Sequence, residues 1–176
     1  VTGRGLNPSW RLSEFLDEAL GFYREVEGAL GEQFFYEIPI LRLFAGAEER
    51  RMFDRKHELL QPWTGAFLEA KDCPCEAPYG GVIWKGGGRL DTRRFLESSG
   101  IFFRDSGLLE TGEVDLASGL EAEKPTIMCA GAAGLGSEPF GFLPERRAKG
   151  EILTVRIPGQ PENRVLSRNG WMIPLG

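Results

Sequence analysis

The 176-residue chain contains one histidine, three cysteines and no apolar run near the roughly 20 residues that a membrane-spanning helix needs. One imidazole and three thiols are too few soft donors for a structural zinc site, so no metal site is expected. Cys73 and Cys75 are separated only by Pro74, too tight for a C-x-x-C redox or zinc knuckle. The thiols are read as reduced and the compartment as cytoplasmic. No signal-peptide pattern is visible. Basic excess is also missing: 21 Lys and Arg against 26 Asp and Glu leave a net charge of -5. Affinity for a phosphate backbone comes mainly from clustered cations, so nucleic acid is not an expected partner, and neither is a membrane.

What is present is the composition of an ordinary globular protein, 41% hydrophobic and 27% charged, in a length that suits one compact domain. Leu12, Phe15, Leu16, Ala19, Leu20, Tyr23, Val26 and Leu30 recur at helical spacing, with Ser13 as candidate N-cap and Gly31 as the stop. Residues 34–44 form a β-rich apolar run with Pro39 inside it, which predicts an edge position, a bulge or two short strands. A charged helix fits 47–60, where Arg50, Arg51, Arg55 and Lys56 interleave with Glu48, Glu49, Asp54 and Glu58 as a salt-bridged face. His57 lies on that helix and reads as a surface residue.

Further along, 80–84 reads as a strand and the triple glycine Gly86, Gly87 and Gly88 as a turn, since its spacing matches neither a dinucleotide fingerprint nor a P-loop. Asp91 is placed to cap a helix carrying Phe95 and Leu96. Short strands fit 108–116, 126–130, 151–156, 164–166 and 171–173. Helices and strands mix without a regular βαβ alternation, so the expected class is α+β with a mixed, largely antiparallel sheet and flanking helices.

Four segments carry the functional reading. They are Val1-Thr-Gly-Arg4, Gly88-Arg-Leu-Asp91, Ile127-Met-Cys-Ala-Gly131, and the closing pair Lys149-Gly-Glu-Ile-Leu153 and Trp171-Met-Ile-Pro-Leu175. Together they resemble the substrate-side half of FAD-dependent oxidoreductases of the D-amino-acid oxidase superfamily. Such enzymes begin with a strand, a G-x-G-x-x-G turn and a helix that hold the FAD pyrophosphate. No such element opens this chain, which therefore reads as a piece of a larger protein, inactive alone.

The resemblance implies that Thr2, Gly3 and Arg4 lie near the flavin ring and that Ala130 and Gly131 contact the nucleotide part of FAD, with Cys129 a buried bystander. It implies that Lys149 introduces a substrate-domain strand and that Trp171, Ile173 and Leu175 border the substrate cavity. Several amine-oxidising relatives have an arginine after the closing proline, where its fork grips a substrate carboxylate. Leu175 stands there in this chain. On this basis 9–79 and 146–176 form the substrate-binding part, and 1–8 and 80–145 belong to or border the flavin domain.

The implied activity is hydride removal from an amine or amino acid, with FAD as cofactor and a small molecule as substrate. No catalytic side chain is assigned, because the flavin takes the hydride while the protein positions the donor C–H bond. A cofactor-free binding or interaction module is the alternative. Surface that packed on a missing dinucleotide fold would be exposed, so self-association is expected.

Overall fold

The computed structural model describes residues 6–113, 125–131, 134, 140–144, 146, 149–159 and 162–175. The protein is α+β with largely antiparallel sheets, as its patterning predicts. It divides into two compact units, Val1–Leu108 with Gly159–Gly176, and Leu109–Pro158.

In the first unit, helix α1 (Leu12–Leu30) leads to strands β1 (Phe35–Glu37) and β2 (Ile40–Leu43), then helix α2 (Ala47–Leu60). Strands β3 (Thr64–Leu68), β4 (Gly81–Trp84) and β5 (Gly88–Leu90) follow, then helix α3 (Thr92–Asp105), and finally β6 (Val165–Ser167) and β7 (Trp171–Met172). Five strands form one sheet in the order β3-β4-β2-β6-β7, and β1 pairs with β5 in a separate ribbon. Only the β2–β6 pair is parallel, with Ile40 opposite Val165 and Leu41 opposite Leu166.

Pro39 produces the break between β1 and β2. It has no N–H for a ladder, so the run splits into two short strands. Its carbonyl still accepts from Val165 N–H at 3.0 Å and leads β6 into register beside β2.

Period-2 alternation then builds a core on each face of the five-stranded sheet. Val82 and Trp84 of β4, with Ile40 and Phe67, face Phe44, Phe53 and Leu60, so α2 covers that side. Leu41 and Leu43 of β2, with Ile83, Leu68 and Leu166 on the same face, meet Ala77 and Cys73, so the 69–80 loop covers the other. Arg50 of α2 pairs with Asp54 and also lies over the Phe67 ring, 4.0 Å from its centroid.

Helix α1 departs from expectation in two ways. Its N-cap is Arg11, in the left-handed region and without a side-chain cap, rather than Ser13; Arg11 instead bonds Glu14 through Nε at 2.8 Å. Its apolar face is only half-buried, and Phe15 is half-exposed. That face packs where Tyr23 stacks on Phe35 at 4.8 Å and meets Phe95 edge-on at 6.0 Å. Glu27 Oε1 accepts from the N–H groups of Phe34 (2.7 Å) and Phe35 (2.6 Å), tying α1 to β1.

The triple glycine serves packing. Gly86 has φ +72, and a Cβ on Gly87 would fall 2.5 Å from Ile38 O, so the chain's own backbone fills the space a phosphate would need. Asp91 caps α3 as its position predicts, accepting from Arg94 N–H at 3.1 Å.

Among the described residues of Leu109–Pro158 there is no α-helix or β-strand. The strands expected at 126–130 and 151–156 do not form, and none forms over 108–113. An apolar run becomes a strand only when its N–H and C=O groups find a ladder partner, and these segments have none among the described residues.

Candidate functional site

An open cleft of about 820 Å3 lies where the parallel strands β2 and β6 end. Strand β2 leaves the sheet at Leu43 and passes through Ala45 and Gly46 into α2, while β6 turns at Arg168, Asn169 and Gly170 into β7. The turn is closed by Arg168 N–H to Gly170 O at 2.8 Å and Gly170 N–H to Arg168 O at 2.6 Å. Asn169 takes φ 52, a left-handed conformation that asparagine tolerates well. Ligands of parallel sheets gather at the carboxyl ends of the strands because the loops there splay apart, and the β2–β6 pair does this locally.

Charges of both signs line the cleft. Arg42 and Glu49 form an ion pair at 2.6 Å whose side chains are 20% and 15% exposed. Glu49 also accepts from Ala45 N–H at 2.8 Å and so stabilises the entry to α2, whose N-cap Gly46 has no side-chain acceptor. Glu48 and Glu49 sit in the first turn of α2, against its dipole. These carboxylates make the helix N-terminus a poor phosphate site. On the opposite wall Arg168 donates from Nη1 to Glu76 O at 2.9 Å, and Trp171 is 59% exposed beside it.

Such a wall suits a small molecule bearing both a cationic and an anionic group, with the indole face for its apolar part. His57 is exposed on α2 and does not line the cleft, as expected of a surface residue.

Among the described residues that the resemblance singles out, Trp171 alone lines this cleft. Strand β7 stops at Met172, so Ile173, half-buried, and Leu175, exposed, follow it outside the ladder. Lys149 belongs to the other unit, where it is exposed and pairs with Glu151 at 2.7 Å. Ala130 and Gly131 are also in that unit and exposed. Cys129 is exposed, not buried, and the strand expected to carry it is not formed. Thr2, Gly3 and Arg4 lie outside the described residues.

Gly131 has φ +55, Gly134 N–H donates to its carbonyl at 3.2 Å, and a Cβ on Gly134 would fall 2.7 Å from Ala130 Cβ. A side chain on Gly134 would therefore crowd Ala130.

Arg42, Glu48, Glu49 and Arg168 were not singled out as site residues from sequence. Arg42 had one usable signal, a charge inside the apolar run 40–43; Arg168 had none, since its place depends on the β6–β7 turn. The fold and cleft thus define an α+β protein with a mixed-charge cleft at the carboxyl ends of one parallel strand pair. No protein-family model matches the chain, and no solved structure matches it.

Proposed function

We propose that the chain is part of an FAD-dependent oxidoreductase of the D-amino-acid oxidase type, acting on an amine or amino acid. The observation that carries this reading is the position of Trp171, singled out by the resemblance, on the wall of the cleft that also holds Glu48 and Arg168. Bound flavin would supply the hydride acceptor. The chain's own residues would bind and orient the substrate: Glu48 facing an ammonium group, Arg168 a carboxylate in place of the arginine missing at Leu175, and Trp171 shielding the apolar part from water. Ala130 and Gly131 would lie against the nucleotide, while the pyrophosphate needs a G-x-G-x-x-G element that these 176 residues do not contain.

The test is a visible absorption spectrum of the full-length protein as purified. Flavin bands that bleach under anaerobic conditions on adding an amine or amino acid are the expected result. A colourless protein that ignores added FAD would overturn the reading.

A cofactor-free interaction module is the second reading, favoured by the exposure of Ile127 (90%) and Ile152 (77%) in the 109–158 unit. Such side chains would drive self-association, and a monomer by light scattering at high concentration would count against it.

A further inference from the structure

The loop over the second face of the five-stranded sheet holds two thiols on one short tether. Cys73 follows the 3-10 turn Ala70–Asp72, and its N–H donates to Ala70 O at 3.4 Å. Its Sγ lies 3.4 Å from Glu69 O, and its side chain packs on the cluster of Leu41, Leu43, Ala77 and Leu166. These contacts hold one sulfur in place. Pro74 locks its own φ, and the chain bends over residues 73–75. Two residues span at most about 7 Å even when extended, and the bend brings Cys75 closer than that limit. Cys75 is exposed and Cys73 half-buried, so solvent reaches Cys75 more fully than Cys73. Burial pushes the Cys73 pKa up, the neighbouring Cys75 raises it next, and Arg164 opposes both.

None of the three cysteines is in a disulfide. A disulfide across one intervening proline is a demanding closure, because the two Cα atoms must lie about 4.4–6.8 Å apart with an S–S dihedral near a right angle. A larger soft atom between the sulfurs relaxes both requirements. Among the described residues no group of three or more His, Cys, Asp or Glu side chains is placed to hold a metal ion. Four-coordinate zinc is therefore poorly served, whereas a centre satisfied by two sulfur ligands needs no donor beyond this pair.

We propose that Cys73 and Cys75 form a dithiol site for a thiophilic centre that takes two sulfur ligands, with trivalent arsenic as the class it fits. The exposed Cys75 sulfur engages first, and Cys73 then closes the chelate within the same chain. With phenylarsine oxide as probe, two As–S bonds form while two S–H bonds and the As=O bond break. The two protons leave with the oxygen as water; arsenic stays trivalent and neither sulfur is oxidised. The site is independent of the flavin reading and stands or falls without it.

The experiment is a titration of the full chain with phenylarsine oxide, followed by intact mass and by counting reactive thiols. One arsenical per chain is expected, with Cys73 and Cys75 consumed and Cys129 still titratable. Cys75→Ser should weaken retention by about 100-fold, because it reduces a chelate to a single bond, whereas Cys129→Ser should change nothing. Cys75 is exposed, so its replacement spares the packing that a change at Cys73 would disturb. The thermal midpoint of the wild-type chain should rise with the arsenical, as it does for any ligand that prefers the folded state. One arsenical per thiol, a Cys75→Ser variant that retains the probe like wild type, or an unchanged or lowered midpoint would overturn the proposal.

Discussion

Leu41 and Leu153 both sit in short apolar runs that read as strands, yet Leu41 is fully buried and Leu153 is 86% exposed. The difference belongs to their two units. Every buried hydrophobic residue among those described lies in 6–108 or 162–175, where β2 has a hydrogen-bonded neighbour on each side. Among the described residues of 109–158 there is no ladder at all. Apolar content therefore does not distinguish the units; pairing does, because a strand buries its face only after its backbone groups are satisfied.

The largest test of that contrast is a pair of truncations. Leu41→Ala should cost about 2–5 kcal/mol in urea unfolding, through lost transfer energy and a cavity between well-ordered neighbours. Leu153→Ala should stay within about 0.5 kcal/mol, as exposed positions do. Equal losses would break the comparison.

Ion pairs sharpen the same contrast at smaller scale. Glu49→Ala removes the carboxylate from half-hidden Arg42 and the acceptor from Ala45 N–H, and should cost about 1–3 kcal/mol. Lys149→Ala breaks an exposed pair with Glu151 in the other unit and should leave the unfolding midpoint where it was. Next comes Asp91→Ala, which removes the cap of α3 and should cost about 1 kcal/mol, while Asp91→Asn should restore most of it.

The smallest effect is one of pH. Arg164 bonds Glu162 at 2.7 Å and holds its carboxyl below its ordinary pKa, against the opposing effect of burial. A depressed folded-state pKa contributes stability above the unfolded value and loses it as pH falls through the folded one. Stability should therefore decline on the acid side, and Glu162→Gln should lower the curve near neutrality and flatten that limb, the two profiles converging at low pH. A Glu162→Gln profile that keeps the wild-type acid slope would assign the loss to other carboxylates.

Several elements were legible in the chain because their causes are local. Helix α2 forms over Ala47–Leu60 where its charged, helix-favouring residues predict it. Pro39 splits β1 from β2, and Asp91 caps α3 at the expected residue. The start of α1 was misjudged because Ser13 has the side chain a cap favours, yet the helix begins after Arg11, which takes a left-handed conformation and caps nothing with its side chain. The cleft was legible only in part. Trp171 was named through the resemblance, but Arg42 and Arg168 reach the same cleft because β6 pairs with β2 from far along the sequence.

The sequence by itself determined the α+β class, the positions of the three helices and the break at Pro39, since propensity, capping and a missing N–H act within a few residues. Tertiary structure alone decided which apolar runs became strands, which face each core occupies, and that Glu48, Glu49, Arg168 and Trp171 share one cleft. Those outcomes depend on hydrogen-bonded pairing between distant segments, and a ladder partner is a property of the fold that no local pattern encodes.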